Sequence, residues 1–398
     1  MISVDVLVIG GGLIGCATAY HLAGAGAKVL VVDRGTVNGK ASGQNAGSLH
    51  FQLEHRLFEQ GEALAERFAA AIPLNQMAME EWAGLETELG TDLEVVMQGG
   101  LMVAETPDEM ASLQKKQRLE EKWGLPCHLV DGDQARALAP SLSERVIGAA
   151  FCPCEGQANP RLVTNAFAQA ARRRGVDFFT QTRIESLAPG RYGFLAELAG
   201  AAGRQTVLAA RILNAAGAWA AEVSALCRLT LPVFPLGLTM NVTERTGRLL
   251  GHLIQHIGRR LTMKQVQDGN LLIGGGWPAR LPWRSGALPA FDPTGSAELL
   301  PESVRGNLAI ACEIVPAVRR LHLLRSWTGI VAATPDELPI LGEIVSCPGY
   351  FVAVGGAGFT LGPTIGRLMS GLMLTGGTPL SITPYSPARY GHLNPAMA

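Results

Sequence analysis

A glycine-rich segment near residue 10 constrains the fold of this chain more than any other feature. An apolar run over residues 4–9 leads into Gly10-Gly11-Gly12-Leu13-Ile14-Gly15, which fits the pattern GxGxxG. A stretch rich in small residues follows over 13–25, and a second apolar run over 28–32 ends at Asp33. Strand, glycine turn, helix, strand and acid in this order predict a βαβ unit of the Rossmann type, which binds a dinucleotide.

The glycines and the acid of this motif have separate physical roles. Gly10 permits a tight turn, Gly12 lets the backbone approach a pyrophosphate, and Gly15 lets the helix pack close to the strand. The helix N-terminus supplies free N–H donors for the phosphates. Asp33 lies 18 residues after Gly15, where a carboxylate accepts hydrogen bonds from a ribose diol and repels a 2′-phosphate. The motif does not distinguish FAD from NAD, and a glycine-rich turn without a ligand is the alternative interpretation.

A second glycine-rich turn lies near the other end of the chain. An apolar run over residues 350–354 leads into Gly355-Gly356-Ala357-Gly358-Phe359-Thr360-Leu361-Gly362-Pro363, and a helical pattern continues to 374. Pro363 suits the first turn of that helix. The N-terminal end of such a helix favours negative charge, as on the N1–C2=O edge of a reduced flavin. A second packing turn is the alternative interpretation.

Several segments in order along the chain carry a resemblance to one family. They are 4–34, Ala41-Ser42-Gly43-Gln44-Asn45-Ala46-Gly47, 155–161, 214–219, 327–342 and 352–366. In these segments the chain resembles the FAD-dependent amine oxidoreductases of the D-amino-acid oxidase and glycine oxidase type. The resemblance implies an FAD cofactor and oxidation of a C–N bond beside a carboxylate. It also implies an α/β fold, with a Rossmann-type FAD-binding domain and an inserted, mainly antiparallel substrate-binding domain.

The chain of 398 residues is long enough for two domains. Nucleotide-like features occur at the start, middle and end, so that both predicted domains are discontinuous in sequence. We expect the FAD-binding domain to comprise residues 1–85, 150–225 and 328–398. The substrate-binding domain would then comprise residues 86–149 and 226–327.

The resemblance implies FAD contacts residue by residue. Residues 42–49 would follow the ribityl chain and isoalloxazine, Arg183 would meet the adenine through its backbone, and residues 356–361 would lie under the pyrimidine ring. The complete set of predicted cofactor residues is Gly10, Gly12, Leu13, Ile14, Gly15, Asp33, Arg34, Ser42, Gly43, Gln44, Asn45, Ala46, Gly47, Leu49, Arg183, Ala216, Gly217, Trp219, Gly329, Gly356, Gly358, Phe359, Thr360 and Leu361.

One departure from the family pattern concerns the substrate. In simple D-amino-acid and glycine oxidases, Trp-x-Gly-x is followed by an arginine that binds the substrate carboxylate. Here the segment reads Trp327-Thr328-Gly329-Ile330-Val331, with valine in place of the arginine. Valine forms no ion pair, which argues against a small free D-amino acid as substrate. Within the family, residues 45–52 and 256–265 look most like the β subunits of opine (octopine and nopaline) oxidases.

The opine oxidase resemblance implies a reaction and an assembly. A hydride moves from the α-carbon of a secondary amino acid to flavin N5, and the imine is hydrolysed to an amino acid and a 2-keto acid. The chain would be the catalytic β subunit, together with a larger flavoprotein α subunit and a small iron–sulfur subunit, with a second flavin at a subunit interface left open. Two alternatives remain: a stand-alone D-amino-acid, proline, hydroxyproline or sarcosine oxidase or dehydrogenase, and a non-catalytic FAD-binding electron-transfer subunit.

Five side chains are candidates for contact with the substrate. His50 is the candidate catalytic residue, because it follows the flavin-side loop and an imidazole exchanges protons near neutral pH. Lys264 and Gln265 lie on a predicted strand that could face the flavin. Glu155 offers a carboxylate to a cationic substrate end, and Trp327 offers an aromatic wall. Each has a structural alternative: a core histidine or tryptophan, solvated polar residues, or a loop carboxylate.

Arg259 and Arg260 could replace the missing carboxylate anchor, or form a basic pair at the surface. Composition excludes other classes of protein: a net charge of −1 provides no field for nucleic acid. We see no transmembrane segment, because no stretch of 18 residues lacks charged and turn-forming residues. The 7 cysteines are scattered and odd in number, which predicts reduced thiols, a cytoplasmic location and no metal site.

Overall fold

The computed structural model of the protein describes residues 1–53, 62–201, 203–284, 290–291 and 296–394. The α-helices in these ranges are α1 (Leu13–Gly24), α2 (Ala41–Gln44), α3 (Glu62–Ala69), α4 (Ile72–Leu89), α5 (Pro107–Lys122), α6 (Gly132–Leu138), α7 (Pro160–Arg173), α8 (Ala220–Ala225), α9 (Pro301–Ile314) and α10 (Gly362–Thr375). Short 3₁₀ turns are Gly217–Trp219, Pro316–Arg320, Thr383–Tyr385 and Pro387–Leu393.

The strands of the described residues belong to two large sheets and two small ones. They are β1 (Ile2–Ile9), β2 (Val29–Val32), β3 (Ser48–Leu49), β4 (Gly100–Ala104), β5 (His128–Asp131), β6 (Gly148–Cys152), β7 (Gly156–Gln157), β8 (Asp177–Phe179), β9 (Arg183–Gly190), β10 (Gly193–Gly200), β11 (Gly203–Asn214), β12 (Phe234–Arg245), β13 (Leu253–His256), β14 (Thr262–Gln265), β15 (Asn270–Gly274), β16 (Trp283–Arg284), β17 (Ala290–Phe291), β18 (Leu323–Ala333), β19 (Ile340–Glu343) and β20 (Tyr350–Val354).

The first sheet contains the predicted βαβ unit at its centre. Its strand order is β19-β20-β11-β1-β2-β8, and β10 and β9 extend it as a hairpin beside β11. The neighbours β2, β1, β11 and β20 are parallel, and Ile9 pairs with both Val32 and Asn214. The carboxyl ends of these strands therefore meet at one edge of the sheet, where open α/β sheets bind their ligands.

Helices α1, α7 and α10 cover one face of this sheet with apolar side chains. The contact between α1 and α10 depends on a glycine, because a Cβ atom on Gly366 would lie 2.5 Å from Cβ of Ala17. Strand residues alternate between two clusters: Val6 and Val8 belong to the cluster with the helices, and Leu7 belongs to the other. This alternation is the two-residue period of a strand that is buried on both faces.

The second sheet has the order β18-β12-β15-β14-β13-β4-β6-β5. Its pairs are antiparallel except for β4 and β13, which confirms the prediction of a mainly antiparallel second unit. One face packs against α6 and α9, with Leu101, Ile254 and Ile273 in contact with Ala311 and Ile314. The opposite face is turned towards the first sheet.

Two predicted domain boundaries fall inside strands of this second sheet. Strand β6 spans the boundary between 149 and 150, and β18 spans the boundary between 327 and 328. Because each strand is one continuous ladder, residues 150–152 and 328–333 belong to the second sheet and not to the first.

The helical region predicted over residues 57–89 is two helices. Helix α3 ends at Ala69 and α4 begins at Ile72, so that the break lies at 70–71 and Pro73 is in the first turn of α4. Proline is tolerated there because the first N–H groups of a helix have no intrahelical partner. Residues 57–61 lie outside the described residues.

No helix in the described part of the chain is both long and apolar enough to cross a membrane. All 7 cysteines are free thiols, and the described residues contain no group of three or more metal-ligating side chains.

A cofactor cavity between the two sheets

A long cavity of about 1880 Å³ lies between the carboxyl edge of the first sheet and the open face of the second. Gly12 and Asp33 line one end, and Gly358 and Thr360 line another part of the wall. The second sheet contributes Met240 among other residues. The two glycine-rich turns that the sequence singled out therefore face one continuous space.

The nucleotide end of the cavity is built around Gly10 and Asp33. Gly10 has φ = +119°, and a Cβ there would lie 2.4 Å from the carbonyl oxygen of Ala215, so that only glycine fits. The two carboxylate oxygens of Asp33 accept hydrogen bonds from the N–H groups of Gly11 and Gly35, both at 2.7 Å. A carboxylate oxygen accepts more than one hydrogen bond, so capacity remains for a ribose hydroxyl.

The helix α1 N-terminus faces the same space. The hydroxyl of Ser42 accepts a hydrogen bond from the N–H of Leu13 at 3.0 Å, which places a polar side chain where a phosphate would bind. The neighbouring first-turn N–H groups and the positive end of the helix dipole remain favourable to an anion.

At the other end, the segment after β3 meets the second glycine-rich turn. The N–H of His50 donates to Oγ1 of Thr360 at 3.3 Å, and Trp82 Nε1 donates to the Thr360 carbonyl at 2.7 Å. Nδ1 of His50 and Oγ of Ser48 are buried and have no hydrogen-bond partner among the described residues. Burying such groups unpaired is unfavourable, so these atoms fit a site that a polar cofactor completes.

Comparison with known proteins identifies the family. The model of the FAD dependent oxidoreductase (DAO) family matches residues 5–372. The chain belongs to this family. Glycine oxidase of Geobacillus kaustophilus is 28% identical over 390 residues, which cover 97% of each protein. An opine oxidase subunit of Rhizobium meliloti, the second of that enzyme by letter, is 24% identical over 396 residues, which cover 98% of each.

The structure of glycine oxidase from Geobacillus kaustophilus has a TM-score of 0.83 with this chain at 26% identity, covering 97% of this chain and 98% of that one. Membership of the DAO family confirms the predicted fold class and FAD as the cofactor. The protein is an FAD-dependent amine or amino-acid oxidoreductase. When bound, FAD supplies a two-electron acceptor at N5.

Most of the residues predicted for FAD line the DAO cavity. These are Gly10, Gly12, Leu13, Ile14, Asp33, Arg34, Ser42, Asn45, Ala46, Arg183, Ala216, Gly217, Trp219, Gly356, Gly358, Phe359 and Thr360. The side chain of Arg183 is exposed and pairs with Glu185, in agreement with a contact through its backbone alone.

The remaining predicted cofactor residues do not line this cavity. They are Gly15, Gly43, Gln44, Gly47, Leu49, Gly329 and Leu361. Leu49 and Leu361 are buried in the apolar core, so that the predicted contact of their side chains with FAD is corrected to a packing role. Gly15 acts as predicted in packing, because its Cβ would lie 2.0 Å from the Gly10 carbonyl oxygen.

Two of the predicted substrate residues have other structural roles. Glu155 is fully buried, and its carboxylate accepts hydrogen bonds from the N–H groups of Phe51 and Gln52 and from two side-chain amides. Gln265 accepts from the N–H groups of residues 249 and 250 and donates to the carbonyls of residues 246, 247 and 269. Their partners are provided by the protein, which corrects the prediction that these two residues bind the substrate.

Lys264 and Trp327 lie behind the loop 43–47 and not in the cavity. Nζ of Lys264 is buried without a hydrogen-bond partner among the described residues, 3.2 Å from where a Cβ of Gly47 would be. Burial holds the pKa of Lys264 well below its ordinary value. Trp327 Nε1 donates to the Gln44 carbonyl at 2.7 Å, and its ring lines a separate cavity of about 1020 Å³.

The two consecutive arginines differ in their partners. Arg259 contacts Glu105 at 2.8 Å and Glu313 at 2.7 Å, so its charge is neutralised within the protein. The Arg260 side chain is exposed, lines the cavity, and forms no ion pair with another described residue. Of these two arginines, Arg260 is therefore the one that is free to meet a substrate carboxylate.

Sequence reasoning missed most of the wall that the second sheet provides. Met102, Gln255, Thr262 and Gly274 are consecutive neighbours across β4, β13, β14 and β15, and all four line the cavity. The period of two within each strand would have grouped these residues on one face, but the pairing of the strands is not visible in the sequence.

Proposed function

We propose that this protein oxidises the C–N bond of an opine-like secondary amino acid, as the catalytic β subunit of a hetero-oligomeric dehydrogenase. The observation that carries the proposal is the position of Val331, which lines the cavity opposite Leu236 on the β12–β18 ladder. An arginine at this position would bind the carboxylate of a small amino acid, and this chain provides an apolar surface instead.

The exposed Arg260 supplies a cation on the same cavity, distant in sequence from the missing arginine. An opine has two carboxylates, so that one can bind at Arg260 while the α-carbon approaches the flavin. The full-length match to the opine oxidase subunit of Rhizobium meliloti supports this substrate class. By analogy with that name, we expect further subunits: a larger flavoprotein and a small iron–sulfur protein. A cytoplasmic location remains a prediction.

The reaction balances in two steps. The α-carbon loses a hydride, which carries two electrons to the bound cofactor, and the nitrogen loses a proton, leaving a C=N bond. Water then adds to this carbon, and cleavage gives an amino acid and a 2-keto acid. We propose that His50 handles the amine proton, since its ring lines the cavity and its Nδ1 is without a protein partner among the described residues.

The test is anaerobic reduction of the purified flavoprotein, with any subunits that co-purify, by octopine, nopaline, proline analogues, sarcosine and D-amino acids. Bleaching by an opine, with formation of the amino acid and the 2-keto acid, supports the proposal. Bleaching by simple D-amino acids alone, with stoichiometric peroxide from the isolated chain, overturns it. A flavin that no amine reduces would favour the non-catalytic electron-transfer subunit.

A stand-alone amine oxidase is the second candidate. The full-length match to glycine oxidase at 28% identity favours it, because that protein resembles this one over the same extent as the opine oxidase subunit does. Molecular mass in solution distinguishes the two candidates, since a stand-alone oxidase is fully active without a partner protein.

A further inference from the structure

A chain of buried polar side chains runs from helix α5 to the cavity wall. Lys116 Nζ contacts Glu120 at 2.6 Å and donates to Oε1 of Gln52 at 2.9 Å. Nε2 of Gln52 donates to Glu155 Oε2 at 3.0 Å, and Nε2 of Gln255 donates to the same oxygen at 3.1 Å. Only the last member of this chain, Gln255, lines the cavity.

This network determines which way each amide points. An ammonium group only donates, so Lys116 fixes Oε1 of Gln52 towards itself and Nε2 of Gln52 towards Glu155. An ionised carboxylate only accepts, and the N–H groups of Phe51 and Gln52 already occupy Glu155 Oε1 at 3.0 and 3.1 Å. Gln255 must therefore present its NH₂ group to Glu155, and its Oε1 points away.

The remaining oxygen is available to a ligand. Oε1 of Gln255 accepts no hydrogen bond from the described residues and is not enclosed by protein, although the residue as a whole is buried. Its strand neighbours Met102 and Thr262 line the same part of the wall. The sheet thus provides one oriented acceptor between an apolar side chain and a hydroxyl.

We infer that Gln255 is a specificity-determining residue, whose carbonyl oxygen accepts a hydrogen bond from a nitrogen-bound hydrogen of the substrate, and that Glu155 is the positioning residue that fixes this amide. The inference rests on the proposed function for its choice of an amine substrate. Two groups of an opine carry such a hydrogen: the secondary amine at the reacting carbon, and a distal guanidinium.

The side chain of Glu155 is held tightly enough for this role. A Cβ on Gly100 would lie 2.1 Å from Glu155 Oε2, so that glycine at position 100 provides the space for the carboxylate. The Glu155 carbonyl accepts a hydrogen bond from the Gly99 N–H at 2.8 Å. Backbone and side chain of Glu155 are thus both attached to the start of β4, beside β13.

The experiment uses binding of amines that have no α-hydrogen and cannot be oxidised. Isothermal titration calorimetry on the FAD-loaded protein compares two matched pairs of such N-alkyl-2-methylalaninates. The first pair differs in N–H against N–CH₃ at the amine, and the second in a guanidinium against an alkyl end. We expect the N–H or guanidinium member of one pair to bind roughly tenfold tighter, as one hydrogen bond allows.

Gln255→Met keeps the side-chain volume and removes the acceptor. We expect this variant to bring the ratio of dissociation constants for one of the two pairs close to one, which identifies the donor as the amine or the guanidinium. Unchanged ratios for both pairs would overturn the inference. Gln117→Met is the matched control, because Gln117 lies on α5 and hydrogen-bonds to Glu121 and the Cys127 carbonyl, away from the cavity.

Glu155→Gln tests the positioning role by a different route. With an amide at position 155, its NH₂ group must face the two glutamine amides while its oxygen serves Phe51 and Gln52. Gln255 then rotates to accept from it and presents NH₂ to the cavity. We expect the preference for an N–H ligand to be lost while the visible spectrum of bound FAD is retained; a preserved preference contradicts the role of Glu155.

The outcomes also separate this inference from the proposed function. If no opine reduces the flavin but the binding ratios change in Gln255→Met, the acceptor role is correct and the opine proposal fails. If opines reduce the flavin and the ratios do not change, the proposed function stands and the acceptor role is wrong.

Discussion

Oδ2 of Asp33 accepts a hydrogen bond from the N–H of Gly11 at 2.7 Å, which ties the end of β2 to the turn after β1. The same carboxylate holds Gly35 at 2.7 Å through Oδ1. One side chain therefore organises the two loops that border the nucleotide end of the cavity, in addition to its predicted role with the ribose.

Asp33→Asn should weaken FAD binding by roughly tenfold or more, because one of the two N–H groups would face an NH₂ group and lose about 1–3 kcal/mol. The measurement is FAD affinity of the apoprotein by fluorescence titration. Asp5→Asn is the control, since Asp5 also accepts a backbone hydrogen bond between β1 and β2, from Lys28 at 2.7 Å, but does not line the cavity. Equal FAD affinity in wild type and Asp33→Asn would contradict this role.

Val331→Arg should create binding of small amino-acid carboxylates, since a bidentate arginine pair contributes about 1.5–3 kcal/mol. Perturbation of the flavin spectrum by benzoate, glycine and D-alanine measures the gain. Val345→Arg, at a position that is 80% exposed, should show none. No gain for any carboxylate at position 331 would mean that this wall does not face the substrate.

Arg260→Leu should raise the dissociation constant of a dicarboxylate substrate about tenfold or more and leave that of a monocarboxylate amine nearly unchanged. Rapid anaerobic flavin reduction gives both constants. Arg320→Leu removes another exposed arginine that does not line the cavity and serves as the control. A uniform loss for both substrate types would indicate damage to the site as a whole.

Lys264→Met should stabilise the protein most at neutral pH. Because the pKa of Lys264 is lowered in the folded state, the unfolded chain binds more protons between that pKa and about 10.4. The stability of the wild type therefore rises with pH in this window, by up to about 1.4 kcal/mol per pH unit from this group. The difference in Tm between Lys264→Met and wild type should shrink from pH 7 to pH 10, whereas exposed Lys28→Met should show no such trend.

Gly366→Ala should destabilise the protein by about 1–3 kcal/mol, because the new methyl group would force α1 and α10 apart. Urea unfolding of the FAD-free protein measures the loss. Gly377→Ala is the control, since a Cβ there meets no atom within 4 Å. Equal stability of the two variants would show that the helix pair can adjust without cost.

Local patterns were enough to predict the nucleotide end of the site. The turn at Gly10, the acid at Asp33 and the turn at Gly355 each follow their own strand, and parallel strands bring these ends to one edge. The same reasoning failed for Leu49 and Leu361, which are neighbours of cavity residues in sequence but point into the core.

The substrate side depends on contacts that no local pattern encodes. Met102 and Gln255 are strand neighbours although 153 positions separate them, and that pairing makes them a common wall. Glu155 illustrates the opposite case. Its charge suggested a ligand contact, but three-dimensional packing surrounds it with N–H donors and assigns the contact to the amide that it orients.

The position of β1 in the first sheet has a consequence for synthesis of the protein. Its partner β11 ends at Asn214 and β20 ends at Val354, so a growing chain emerges from the ribosome with one edge of β1 unpaired until more than half of the protein has been made. Such an apolar edge is prone to pair with other chains. Chaperone supply during translation should therefore limit the yield of this enzyme more than the stability of its finished fold.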